Sequence, residues 1–319
     1  MLRILDARTG EPVSAAPARR GLTRIEAHAS GLDPTALRVL LTADLLVRAL
    51  ELGGTPVWTI LTAPRDRPEL RTAATRLAIR PFEDDRDLAS GLGEAQVIHV
   101  AQRGTEDALG EGPVVSVAPA EWVQGAETAR GAAEAAGTPG GETAGRPGAV
   151  AGGEPEGRTG GVSVGDEDGR AGEVSGGELI RPVPARCDGP DAAADPAFPA
   201  LLADPAVLRL ALLAVPRSEP ARLDPAVLDD AARSLARWRR AVAGWARRPS
   251  RPVPGEVRER LRAAWEDDLD LPAVLGVLRD VERAPGVPDG ARFETYVYAD
   301  RLLALDLARD LGSDLGSPA

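Results

Sequence analysis

The 319-residue chain has no lysine and no asparagine, a single cysteine, Cys187, and only two histidines, His28 and His99. Each shortage removes a chemistry. Without lysine there is neither the phosphate-loop lysine of nucleotide-binding enzymes nor a Schiff-base amine, and without asparagine there is no Asn-linked glycan. One cysteine excludes a disulfide within the chain, and one cysteine with two histidines cannot supply the four Cys/His ligands of a structural zinc site. Aromatic residues are only 3% while hydrophobic residues are 43%, so the apolar content is carried by Ala, Leu and Val, which suits closely packed helices. Nowhere do about 18 apolar residues run uninterrupted, and the opening MLRILDARTG lacks the apolar run of a signal peptide. The expectation is a soluble, cytoplasmic protein with no membrane partner. A net charge of -11 opposes general nucleic-acid binding, because an acidic surface repels phosphate.

That charge is unevenly spread. Gly125 to Glu178 holds 10 acidic residues against 4 Arg, is rich in glycine and has no aromatic residue. Burial there cannot offset the entropy of ordering, so residues 124–180 read as a disordered linker. Residues 1–123 alternate between strands and helices. Leu22 to Ala29 puts Ile25, Ala27 and Ala29 on one face and Glu26 and His28 on the other. Asp33 then caps a helix that opens at Pro34 and runs to Gly53. Val57 to Leu61 reads as the next strand, Glu69 to Leu77 as a short helix, and Val97 to Val100 and Val114 to Val117 as buried strands. A small parallel α/β sheet fits this order.

Residues 181–319 read as a helical bundle. Asp-Pro pairs at 195–196, 204–205 and 224–225 each offer a cap and a preset first turn. After the third pair, Leu228, Ala231, Leu235, Trp238, Val242 and Trp245 form one apolar face. Val257 to Trp265, Pro272 to Arg283 and Asp300 to Leu311 supply further amphipathic segments.

In this order of elements, DPAVLRLALLAVPRSEPARLDPAVLDDAARSLARWRRA (204–241) resembles the segment after the catalytic core of cysteinyl-tRNA synthetases. WEDDLDLPAVLGVL (265–278) and the closing ADRLLALDLA are similar to that family's later helices. LRILDARTGEPV and TADLLVRALELGGTPVWTI resemble its first strand and the helix and strand after its ATP loop. The ligase that joins cysteine to the mycothiol precursor shares this scaffold. The resemblance implies a small Rossmann-like domain, a class I synthetase scaffold, and ATP as a cofactor of the family. Its HIGH-type loop falls, counting back from Asp44, on Asp33-Pro34-Thr35-Ala36, where no imidazole is left. The KMSKS-type segment falls on Pro184 to Asp188, where Arg186 is the one cation. The family's zinc site begins at the position of His28, and its other ligands belong to a region replaced here by the linker. The resemblance therefore implies the scaffold without the adenylation chemistry, and zinc is not expected.

This reading leaves His28, Ser30, Asp33, Thr35 and Arg186 as nucleotide-pocket candidates, with no catalytic residue and no metal ligand. Asp33 also reads as a plain helix cap. His28 lies where a strand meets the crevice of an open α/β sheet, and its alternative is a partly exposed loop histidine. His99, inside QVIHVA, reads as a satisfied core or edge histidine, and Cys187 takes no role. The carboxylates Glu266, Asp267, Asp268 and Asp270 read as capping and dipole-favouring groups ahead of a helix. Ten Arg between Ala231 and Ala263, including Arg239, face only Glu256 and Glu259. Arg237, Arg240, Arg247 and Arg248 are the candidates there for contact with tRNA phosphates, or for a solvated face. Three functions remain: a non-catalytic binding or regulatory protein of synthetase type, an ATP-dependent aminoacyl ligase with a rewired pocket, and a protein-interaction module docking through the helical stripe.

Overall fold

Asp33 and Pro34 do what their chemistry dictates: the Asp33 carboxylate accepts the Ala36 N–H at 2.7 Å, and Pro34 opens helix α1, Pro34–Leu52. In the computed structural model, which describes residues 1–17, 21–83, 94–123 and 202–312, the described residues belong to one compact unit. The chain opens with an antiparallel hairpin, β1 (Arg3–Leu5) and β2 (Pro12–Ser14). It continues through β3 (Leu22–His28), α1, β4 (Val57–Thr62), α2 (Arg67–Arg76), β5 (Glu94–Gln102) and β6 (Val114–Val117). These strands form one parallel sheet in the order β4-β3-β5-β6. The architecture is the Rossmann-like α/β layer expected from the sequence, followed by helices.

The strand order sets where a ligand would sit. From β3 the chain crosses through α1 to β4 on one side, and later strands are added on the other side. The topological switch point therefore falls between β3 and β5, where open α/β sheets offer a crevice at their carboxyl ends.

Beyond the sheet, β7 (Ala120–Trp122) pairs in parallel with β8 (Ala221–Leu223), and Ala118 N–H donates to Arg217 O at 2.8 Å. The helices are α3 (Pro205–Leu213), α4 (Pro225–Trp245), α5 (Gly255–Glu266), α6 (Leu271–Arg283) and α7 (Asp289–Leu303). Asp204, Asp224 and Asp270 cap three of them through their carboxylates, as the Asp-Pro rhythm and the Asp270-Leu271-Pro272 reading imply. In α4, Ala231, Leu235, Trp238 and Val242 are buried, with Leu228 and Trp245 packed against the same core.

Asp300 to Leu311 departs from expectation. The helix there, α7, begins far earlier and ends at Leu303, and residues 307–312 form turns. Asp300 itself stops it: its two carboxylate oxygens accept the N–H groups of Leu305 and Leu307 at 2.7 and 2.9 Å, drawing the chain back past a left-handed Ala304. The pair at 195–196, the stretch 124–180, Arg186 and Cys187 lie outside the described residues.

Candidate functional site

Alternation along β3 buries Ile25 and Ala27 in the core and turns Arg24, Glu26 and His28 to the other face. Parallel pairing then decides what meets them. The register sets Ile25 beside Ile98 and Glu26 beside His99, so His99 shares the face of Glu26 and His28. The result is a cluster at the switch point. His28 Nε2 lies 3.0 Å from His99 Nδ1, Glu26 Oε2 lies 3.1 Å from the same His99 nitrogen, and Glu26 Oε2 lies 3.5 Å from His28 Nε2.

His28 is thus the end-of-strand residue the sequence places at the crevice, but not the solitary one that sequence spacing suggests. His99 is buried, as expected for QVIHVA, yet it is half of a histidine pair rather than a packing residue alone. Composition and periodicity put Glu26 and His28 on one face; the pairing of β5 against β3, which neither reports, supplies the third member.

Surrounding groups fix the cluster. The other oxygen of Glu26 forms an ion pair with Arg24, whose Nε lies 3.0 Å away. His99 Nε2 lies 3.0 Å from Glu111 O, and a carbonyl only accepts, so this nitrogen carries the hydrogen. Glu111 belongs to the 103–113 loop, which Arg8 holds by donating to the carbonyls of Leu109, Gly110 and Gly112 at 2.8, 2.7 and 3.0 Å. Gly112 has φ 119°, and a Cβ there would lie 2.6 Å from Val97 O, so the loop needs glycine at this point. The His99 hydrogen bond holds the Glu26 carboxyl below its ordinary value, with Arg24 and the second imidazole acting in the same direction against burial.

The other candidates are dispersed. Ser30 is exposed in the loop after β3. Asp33 is spent on the α1 cap, and the Thr35 hydroxyl donates to Ala120 O and accepts from Ala120 N–H, both at 3.0 Å. Of the basic stretch, Arg240, Arg247 and Arg248 are exposed, while Arg237 pairs with Glu282 at 3.1 Å. Arg239 does not belong to a surface patch: it is buried and donates to Leu305 O and Asp306 O, filling acceptors that the turn after α7 leaves open. In the carboxylate group, Asp270 caps α6 and Asp268 accepts from Leu5 N–H at 2.8 Å. No helix among the described residues is long and apolar enough to cross a membrane.

The fold and its crevice define a Rossmann-like α/β protein with an attached helical region. No protein-family model matches the chain. Over 75 residues it is 43% identical to L-cysteine:1D-myo-inositol 2-amino-2-deoxy-alpha-D-glucopyranoside ligase of Streptomyces griseus subsp. griseus, a match covering 24% of this chain and 17% of that protein. Over 83 residues it is 42% identical to the cysteine–tRNA ligase of Chromohalobacter salexigens, covering 25% and 17% respectively. The matched region is thus a small part of either relative. These similarities support a relationship of cysteinyl-tRNA-synthetase type, in line with the resemblance drawn from the sequence.

Proposed function

We propose that the chain is a cysteinyl-tRNA-synthetase-like protein that binds its ligand or partner without forming an aminoacyl adenylate. The observation that carries this reading is the N-terminus of α1, where the family places its ATP loop. A free helix N-terminus attracts phosphate through unpaired N–H groups and the positive end of the dipole. Here the Asp33 carboxylate takes the Ala36 N–H, Pro34 has no N–H to offer, and the Thr35 hydroxyl is engaged with β7. An arriving triphosphate meets a carboxylate and no imidazole. His28, Ser30 and Arg186 are what remains for a nucleotide.

In this reading residues 1–123 form the sheet domain, 124–180 tether it, and 181–319 form the bundle. Arg240, Arg247 and Arg248, with Arg237 beside them, form the surface by which the bundle would meet tRNA or an acidic protein. A second reading, an ATP-dependent ligase with a rewired pocket, draws on the two relatives, both of them ligases.

A thermal-shift comparison separates the two, because a ligand that binds only the folded state raises its melting temperature by mass action. An enzyme that makes an adenylate holds a stable analogue of it far more tightly than either substrate. The expected result is that a cysteinyl-adenylate analogue shifts the melt no more than ATP and cysteine added together. A much larger shift with the analogue overturns the proposal in favour of the ligase.

A further inference from the structure

We infer that the gap between α3, α4 and α6 binds a small aliphatic carboxylate, its tail seated against the helices and its head group on Arg279. The site lies apart from the sheet crevice and does not depend on whether the chain forms an adenylate.

Small side chains make the gap. Ala211 and Ala214 at the end of α3 and Ala231 and Ser234 of α4 line the same cavity, and none of them is long enough to fill the space between two packed helices. A volume of about 230 Å³ is left, walled by Leu210, Val215 and Val227 with the wholly buried Trp238 at its base. Water takes about 30 Å³ per molecule, so this space corresponds to roughly seven or eight heavy atoms. It suits a short apolar chain and is too small for a nucleotide.

Charge accounting supplies the head group. Arg279, from α6, reaches the cavity half-buried and has no hydrogen bond or ion pair among the described residues. The acids around it serve other groups. Glu282, three residues on, accepts from Trp238 Nε1 at 3.2 Å with one oxygen and from Arg237 Nε at 3.1 Å with the other. Asp280 pairs with Arg260, and Asp230, on the cavity wall, pairs with Arg233. Arg222, the second cation of the lining, is held by Glu121 at 3.1 Å. A guanidinium left beside an apolar cavity, with these acids engaged elsewhere, is complemented by an anion that carries an apolar chain, and its planar fork suits a carboxylate.

The same pairings bear on selectivity. Asp230 is the one carboxylate among the described lining residues, and it already has Arg233. The ammonium of an α-amino acid is therefore poorly served there, and a plain carboxylate is the better match.

The test titrates the full-length chain calorimetrically with octanoate, whose tail matches the cavity, and with octanamide, which keeps the tail but not the charge. The inference predicts one octanoate per chain and octanamide binding about tenfold weaker or more, because a hydrogen bond to a charged group carries at least that factor. Arg279→Gln should weaken octanoate by a similar factor and leave octanamide unchanged, erasing the preference. Ser234→Leu should block both ligands by filling the gap. Octanamide tests the charge without any substitution, so the result does not hang on the folding of a variant. No octanoate binding by wild type at about 10 mM, well above a millimolar dissociation constant, overturns the inference. Equal binding of octanamide and octanoate overturns it too, since the cavity would then be a general apolar gap. Octanoate binding by Arg279→Gln within about threefold of wild type, or by Ser234→Leu at wild-type strength, places the ligand elsewhere and has the same effect.

Discussion

Arg209 on α3 donates to Asp44 on α1 at 2.8 Å, and neither side chain has any exposure to solvent. The same guanidinium donates to Leu77 O and Leu303 O, so one buried cation ties the sheet layer to α2 and to the end of α7. Leaving a buried charge without its partner costs about 3–5 kcal/mol, whereas removing both members of a pair costs less. Asp44 keeps Arg48 at 2.8 Å when Arg209 is lost, whereas Arg209 without Asp44 keeps only carbonyls; Asp44→Leu should therefore destabilise the protein by about that amount in denaturant unfolding, and adding Arg209→Met should recover part of the loss. Strictly additive losses would mean that the two charges are not coupled.

The glycine that lets the 103–113 loop pass Val97 makes a second prediction. Gly112→Ala forces a Cβ against a backbone carbonyl at a positive φ and should cost about 1–3 kcal/mol. The same change should loosen the carbonyl that orients His99. Unfolding curves matching wild type would show that the loop can shift aside freely.

Asp300 sets a dependence on pH. Burial pushes its carboxyl above the ordinary 3.8, although the N–H groups of Leu305 and Leu307 pull the other way. A raised carboxyl pKa means that the folded state keeps the proton longer than the unfolded one. Its contribution to stability is fully present below the unfolded value and is lost as pH rises through the folded value. Asp300→Asn removes this titration, so the stability advantage of wild type over the variant should shrink as pH is raised from below about 4 into the range above it. An advantage that grows with pH over that window would reverse the sign of the argument.

What could be read in advance divides by range. The Asp caps at 33, 204 and 224 and the apolar stripe of α4 are local, fixed by a side chain and the N–H three residues on or by helical spacing, and the sequence carries them. His99 is different. Its placement beside Glu26 depends on which strand β5 joins and in what register, and a shift of one residue would have turned it to the opposite face. The end of α7 escaped for a related reason: Asp300 looks like a helical residue by spacing, and only the fold-back of Leu305 and Leu307 makes it a stop. Arg239 counted as surface charge because nothing local tells of two open carbonyls beyond α7.

The basic face of the bundle gives a salt-dependent prediction. If it meets tRNA, changing Arg240, Arg247 and Arg248 together to Gln should weaken binding across tRNAs and lower the slope of log affinity against log salt by about two to three units, with little change in stability. Trp238, wholly buried against Tyr296, is the contrast: its truncation to Ala should cost about 3–5 kcal/mol of stability. Absence of tRNA binding by wild type at low salt would leave this surface as a solvated face.

The central claim, a synthetase-type scaffold without adenylation, is tested most directly by cysteine-dependent exchange of labelled pyrophosphate into ATP. The assay should use the full chain, both chelator-stripped and zinc-supplemented, at protein concentrations high enough to register a slow turnover. The account predicts exchange no greater than a blank without protein in both preparations, because the α1 N-terminus presents the Asp33 carboxylate where phosphates would have to bind. Exchange that requires cysteine and rises in proportion to protein concentration would contradict it and establish the ligase.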